Sequence, residues 1–421
     1  MATVGVLRHL TSAAVTCALV VAVAGCTPLP GAPASTGSAD PGTTSSPPAP
    51  SPSPEPEPPP KDVELTVLAA GDVLTHAPLN ESATTPDGID YSPLLAGVDQ
   101  WVERADLALC HLEVPVAPPG TQPAGYPVFR APKEIVRDLG EQGWDGCSTA
   151  SNHAADSGYD GVVATLKALD RAGMGHVGTA RDKRESLGPQ VYELRREGRT
   201  VTVAHLSAAY GLNGLEPPRG AWSVELIDAE RIVKQARAAR KAGADVVLVS
   251  LHDGTEYVTA PTDHQKETVK ALARSRQVDL VIGHHAHVPQ PVSHLRGGPG
   301  GDGMWVAYGL GNMISNQGSE CCVAASAVGL LLVADVVQPA GAPARVTDAR
   351  WAATTVDIPA GHRLRVTREA LAHPERGQLG VGELKDRLRL AQAAAGDTAR
   401  EQRMPPERPA GEPPVVVQRE R

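Results

Sequence analysis

The chain has 421 residues, a formal net charge of −9, and is 41% apolar and 21% charged, with its Lys and Arg scattered singly through the middle. This composition excludes a fully disordered protein, and without a basic stripe nucleic acid is not expected as a partner. Only 3% of the residues are aromatic and one is Phe, so the core is expected to be Val, Leu, Ile and Ala, with no aromatic platform for sugars or single strands.

Arg8 and His9 precede an uncharged run from Leu10 to Ala24. At about 15 residues the run is too short for a comfortable membrane span, so residues 1–25 read as a signal peptide. It closes on Val23-Ala24-Gly25-Cys26, which resembles a bacterial lipobox and implies a lipoprotein with lipid on the Cys26 thiol. An ordinary secreted protein is the alternative. Residues 26–60 read as a disordered tether, because Thr27 to Pro60 holds 13 Pro in 34 residues and too little apolar surface to offset its ordering entropy. Extended at ~3.1 Å per residue, such a tether reaches about 100 Å. Residues 61–390 are expected to form one α/β domain, and the polar, Pro-broken residues 391–421 a disordered tail. The localisation this implies is extracytoplasmic, anchored to the cell membrane.

An oxidising compartment makes disulfides permissible for Cys110, Cys147, Cys321 and Cys322. Cys110 and Cys147 each end a strand-like run and are expected to bridge if those strands are neighbours, leaving Cys321 and Cys322 as a vicinal pair or free thiols. Zinc ligation competes, but no CxxC spacing supports it.

Within the domain, apolar strand-like runs end in polar groups. Val63 to Ala70 leads into Gly71-Asp72, Asp106 to Cys110 into His111-Leu112-Glu113, and Gly146 to Thr149 toward Ser151-Asn152-His153. Apolar residues at helical spacing mark Pro132 to Gln142, Tyr159 to Ala172 and Ile227 to Gly243 as helices. Asp245 to Leu251 is a buried strand ending at His252, Asp279 to Ile282 one ending at Gly283-His284-His285-Ala286-His287, and Met304 to Leu310 and Val323 to Val337 are further strands. This alternation predicts an α/β fold, in which ligands gather at the carboxyl ends of the strands.

Asp72, Glu113, Asn152, His153, His252, His285 and His287 all follow strand ends. They offer the carboxylate, amide and imidazole donors that suit Mn, Fe or Zn. Each alone has a structural explanation as a turn, cap, surface charge or core histidine. Six of the 14 His between His252 and His294 favour a site.

The stretch from about Glu64 to Gln317 resembles the CapA-type capsule-synthesis family associated with poly-γ-glutamate, whose fold is that of calcineurin-like metallophosphoesterases. The resemblance rests on Gly71-Asp72, Leu112-Glu113-Val114-Pro115, Ala150 to Gly161, His252 to Tyr257, Gly283 to Gln290, and Tyr308 to Asn312. It implies a four-layer α/β/β/α sandwich of the metallo-dependent phosphatase type, with Asp72, Glu113, Asn152, His252, His285 and His287 holding one or two divalent ions and His153 as general acid. His284 is an alternative ligand. Three positions depart from the pattern: Leu74 and His111 stand where a ligand His and an Asn are usual, and Asp253 where Trp is usual. The function implied is synthesis, export or trimming of an anionic polymer beside membrane-bound polymer-synthase partners. An envelope phosphoesterase acting on a small substrate and a non-catalytic binding protein are the alternatives.

Overall fold

Val63–Val73 forms β1, buried without interruption from Val67 onward, as suits a strand covered on both faces. The computed structural model describes residues 61–407 and 412–420, so the expected signal peptide, Cys26 and the tether lie outside the described residues. After β1 come α1 (Ala77–Ser82), the hairpin β2 (Thr84–Thr85) and β3 (Gly88–Ile89), α2 (Ser92–Leu95), α3 (Asp99–Val102) and β4 (Leu107–Leu112). Then follow α4 (Glu134–Gln142), β5 (Gly146–Ser148), α5 (Gly158–Arg171) and β6 (Gly175–Val177). Strands β1, β4, β5 and β6 are parallel neighbours.

The chain next builds a second sheet: the hairpin β7 (Gln190–Arg196) and β8 (Arg199–Ala209), then α6 (Ala229–Lys241), β9 (Val246–Asp253), α7 (Asp263–Ser275), β10 (Leu280–His285), β11 (Val292–Leu295) and β12 (Met304–Ala307). Asp228 caps α6 and Thr262 with Gln265 forms a capping box on α7, which starts both helices sharply after their loops. The first sheet is then completed by β13 (Asn312–Ile314), parallel to β1, and by the antiparallel β14 (Val328–Gln338), β15 (Arg345–Asp357) and β16 (Arg363–Val366). Strand orders are β16-β15-β14-β1-β4-β5-β6, with β13 also on β1, and β11-β12-β10-β9-β8-β7.

Alternation along the strands divides the core into layers. Val67, Ala69, Leu107 and Leu109 pack with Val203, Val246, Leu248, Leu280 and Ile282 of the other sheet. Their neighbours Leu68, Ala70, Ala108 and Cys110 face Ile135, Leu139, Val162 and Leu166 of α4 and α5. Val247, Val249 and Val281 face Ile232, Ala236, Val269 and Leu272 of α6 and α7. The result is the expected α/β/β/α sandwich. Two glycines permit close approach near its upper edge: a Cβ on Gly71 would strike the Gly311 carbonyl, and one on Gly283 the Tyr308 carbonyl.

Cys110 and Cys147 are directly opposed in the parallel β4–β5 pair and joined by a disulfide, with 4.4 Å between their Cα atoms. Cys321 and Cys322 form a vicinal disulfide. Residues 323–327 are not strand as expected; Ala324–Ala327 makes a 3-10 turn before β14. Among the described residues, no helix is long and apolar enough to cross a membrane.

The expected disordered tail from residue 391 needs correction. Helix α9 (Val381–Ala395), preceded by α8 (Thr367–Ala372), buries Ala391 and Ala395, and β17 (Arg400–Glu401) pairs with β15. Strand β18 (Val415–Val417) adds to the open edge of β7, and Arg419 donates to the carbonyls of His176 at 2.9 Å and Glu185 at 2.5 Å. Its low local hydrophobicity is offset by hydrogen bonds that another part of the chain supplies.

Candidate metal centre

The carboxyl ends of β1 and β4 in one sheet meet those of β9 and β10 in the other. Asp72 lies in register with His111 of β4 and Asn312 of β13. Glu113 stands one residue beyond β4, and Asn152 and His153 follow β5. His252 is paired with His284 across β9 and β10. His285 and His287 adopt left-handed backbone conformations, with φ of 89° and 56°. Such conformations cost about 1–3 kcal/mol each and cluster at functional sites. They turn the chain so that the His285 amide donates to Asp72 Oδ2 at 3.1 Å.

The six expected ligands converge. His252 Nε2 is 2.9 Å from Asn152 Oδ1 and 3.9 Å from Glu113 Oε1. His287 places Nε2 3.7 Å from Glu113 Oε1 and Nδ1 3.3 Å from Asp72 Oδ2. The His285 ring centroid is 4.8 Å from that of His252 and 6.1 Å from that of His287.

Two sets of donors, Asp72 with Glu113 and His287, and Asp72 with His111 and His284, each have their ligand atoms within 4.8 Å of one another. The first is the better cation site. In the second, the His111 and His284 rings stack at 4.0 Å and 16°, and parallel rings cannot aim their in-plane lone pairs at one ion. Both His111 nitrogens are also engaged, with Ser148 Oγ and His252 Nδ1.

Burial disfavours charge throughout this cluster, and the carboxylates resolve the conflict differently. Burial pushes Glu113 up to about 7. Burial also opposes ionisation of Asp72, but the His284 and His287 imidazoles 3.3 Å away outweigh it and hold this carboxyl well below its ordinary range. His287 is raised to about 9 because Glu113 and Asp72 overcome its desolvation. Burial lowers His252 well below the ordinary histidine value and His285 to about 3, so both present neutral rings.

Asp72 Oδ1, both Glu113 oxygens and His285 Nδ1 are buried without a hydrogen-bond partner among the described residues. His284 Nδ1 comes within 3.3 Å of Asp72 Oδ1, yet neither atom makes a hydrogen bond. Buried acceptors left without a donor are costly, and a divalent ion satisfies several at once. The residues present fit such an ion.

His153 stands apart from the ligand sets. Its Nδ1 is 2.8 Å from Asp156 Oδ2, which also accepts from the Phe129 amide. Burial lowers the His153 value, but Asp156 and Glu113 raise it further, for a net rise. Leu74, at the departing position, is buried in the core under the helices. His76 belongs to neither ligand set and has Nδ1 3.2 Å from the Leu74 carbonyl.

Sequence reasoning missed Asn312, although it stands in a quoted motif. Its Oδ1 meets His287 Nδ1 at 3.0 Å, orienting that ring. Asp156 was legible, three residues after His153. Three of the thirteen Phe, Tyr and Trp residues also lie here. Tyr210 packs on His285 at 4.6 Å, Tyr257 lies 6.0 Å from His287, and the only Phe, Phe129, sits edge-on to His153 at 4.8 Å. Composition argued against an aromatic surface, and most of the rings lie elsewhere, Tyr91, Trp101, Trp144 and Tyr192 among them in the core.

Fold and site together define an α/β/β/α protein with a buried carboxylate, amide and imidazole cluster suited to divalent metal. Residues 66–317 match the family described as "Bacterial capsule synthesis protein PGA_cap", and the chain belongs to that family. It is 26% identical over 260 residues to the capsule biosynthesis protein CapA of Bacillus anthracis, covering 61% of each chain. To the PGA biosynthesis protein CapA of Bacillus subtilis it is 27% identical over 186 residues, covering 44% of this chain and 46% of the relative. The chain thus spans less than two thirds of these relatives. Among solved structures it is similar to the NAD nucleotidase NadN of Haemophilus influenzae, with a TM-score of 0.46 and 14% identity, covering 80% of this chain and 65% of that one. The calcineurin-like phosphoesterase YfkN of Bacillus subtilis gives a TM-score of 0.41 and 14% identity, with coverages of 78% and 97%.

Proposed function

We propose that this chain is a lipid-anchored, extracytoplasmic protein that acts in synthesis, export or trimming of an anionic capsule polymer such as poly-γ-glutamate, through a metal-dependent hydrolytic site. The observation that carries this reading is the set of unpartnered buried acceptors on Asp72 and Glu113, beside His252 and His287, in a member of the capsule-synthesis family. Asp72, Glu113, Asn152, His252, His285 and His287 would hold one or two ions of Mn, Fe or Zn. Bound there, a divalent ion supplies Lewis-acid polarisation and makes water a nucleophile near neutrality. His153, held through Nδ1 by Asp156, donates the Nε2 proton to the leaving atom. Tyr210, packed on His285, and Tyr257, near His287, would flank a substrate at this site.

The test is metal content and turnover of the purified chain against a γ-glutamyl polymer and a panel of phosphoesters, with and without chelator. Chelator-sensitive cleavage of the polymer supports the reading. Cleavage of phosphoesters alone favours the second reading, an envelope phosphoesterase, which the His153–Asp156 pair beside the cluster equally supports. A metal-loaded chain that cleaves neither is the binding protein. The anchor is tested by Cys26→Ala, expected to release the protein from membranes because one thioether-linked diacylglyceryl group supplies the anchor.

A further inference from the structure

Beneath the expected ligands runs a chain of hydrogen bonds that does not end on a carboxylate or a backbone carbonyl. Ser148 Oγ lies 2.8 Å from His111 Nδ1, His111 Nε2 lies 2.9 Å from His252 Nδ1, and His252 Nε2 lies 2.9 Å from Asn152 Oδ1. All four side chains are buried. Each neutral imidazole carries one ring proton, so a gap between two ring nitrogens at this distance holds one proton.

The chain therefore has two neutral settings. In one, Ser148 donates to His111 Nδ1, His111 Nε2–H donates to His252 Nδ1, and His252 Nε2–H donates to Asn152 Oδ1. In the other, His252 Nδ1–H donates to His111 Nε2 and His111 Nδ1–H donates to Ser148 Oγ, whose own hydroxyl proton rotates away. His252 Nε2 then presents a lone pair beside the Asn152 carbonyl oxygen, 3.9 Å from Glu113 Oε1. Acceptors facing one another repel, and a cation turns that repulsion into ligation. Every ring keeps one proton in both settings, so the exchange is neutral overall: the proton that leaves His252 Nε2 on the Asn152 side is balanced by one entering at the Ser148 end.

We propose that His111, backed by Ser148, is a positioning residue that sets the tautomer of His252, giving it an Nδ1–H and a free Nε2 for a divalent ion. This rests on the metal-centre reading given above. His111 takes the place that a carboxylate or carbonyl usually fills behind a ligating histidine. Unlike those partners, which only accept, it can follow His252 in either direction. The second setting therefore carries the same net charge as the first, and His252 takes an ion without losing its hydrogen bond at Nδ1.

The test compares the purified chain with His111→Leu, His111→Gln and Ser148→Ala, measuring Zn²⁺ and Mn²⁺ affinity by chelator competition and the His252 ring tautomer by ¹⁵N NMR. His111→Leu should weaken binding by about 10–100-fold, the range for outer partners of metal ligands. His111→Gln, whose Oε1 can still accept from Nδ1–H, should recover most of that loss, and Ser148→Ala should show a smaller one. In the metal-loaded wild type the His252 proton should sit on Nδ1. Should His111→Leu fail to fold, His111→Gln and Ser148→Ala with the tautomer spectrum decide the matter. Wild-type binding of either ion with an Nε2–H tautomer, or equal affinity in a folded His111→Leu, overturns the inference and leaves the metal reading intact. Absence of binding by the wild type sinks the metal reading and the inference together.

Discussion

The parallel strands treat acidic residues in opposite ways at their two ends. Where four of them begin, an Asp immediately precedes the strand and accepts from a backbone amide of the neighbouring strand: Asp106 from Thr66, Asp145 from Ala108, Asp245 from Thr202 and Asp279 from Val247, at 2.6–2.8 Å. Asp106 is also held by Arg196 of β7 in the opposite sheet, with both guanidinium contacts within 2.9 Å. Where the strands finish, Asp72 and Glu113 are fully buried, deeper than the half-buried Asp145 and Asp245, and keep three oxygens without a partner among the described residues, against one, Asp279 Oδ1, at the starts. The same side-chain chemistry is structural at one end and available for a ligand at the other. The difference lies in whether the chain itself supplies the donors.

Exchanging the two behaviours should therefore separate stability from metal binding. The largest effect is expected from Glu113→Gln, which should abolish metal retention and lower metal-dependent turnover on the order of 100-fold or more, beyond the loss typical of an outer partner. The metal-free protein should melt no lower than wild type, because a buried carboxylate without a donor is removed. Elemental analysis and thermal unfolding after chelation check this, and a lower melting temperature would break the contrast.

At the opposite end Asp106→Ala should cost about 3–5 kcal/mol, because it leaves Arg196 buried and unpaired and the Thr66 amide without its acceptor. Urea unfolding measures the loss, and metal affinity of the folded fraction should be unchanged. Asp145 sharpens the contrast through pH. Burial pushes its folded value up to about 7 from 3.8. Between those values the unfolded state is ionised while the folded state keeps its proton, so the folded state binds more protons. Its contribution to stability is complete below 3.8 and falls as pH rises to about 7, with a slope of up to about 1.4 kcal/mol per pH unit. Asp145→Asn should flatten that part of the stability profile. The smallest effect belongs to Asp228, which accepts from the Glu230 and Arg231 amides at the solvent-facing start of α6. Asp228→Ala should cost about 1 kcal/mol, since water replaces part of what the cap supplied.

Much of this division was legible in the chain. Runs such as Asp245 to Leu251 and Asp279 to Ile282, each ending in His or Gly-His, mark both strand and site, because a buried parallel strand is apolar to its last residue and its first polar residue falls at the ligand edge. The six expected ligands and His153 were found this way. His111 was noticed only as a departure from a pattern, and its role depends on Ser148 and His252, which belong to different strands in different sheets. Asn312 had no local mark of function, since its contact with His287 exists only when β13 lies beside β1. The C-terminal strand was misread for a similar reason: three valines in a polar, Pro-broken stretch are weak locally, and the open edge of β7 makes them a strand.

The sequence by itself determined the alternation of strand and helix around the site, the polar residue types at the strand ends and the family pattern they compose, because these depend on periodicity and on neighbours a few residues away. Only the tertiary structure decided which of those polar groups are satisfied and which are left facing one another. Asp72 and the His285 amide meet across 213 residues of chain. Packing of two separate sheets, and no local preference, brings them together.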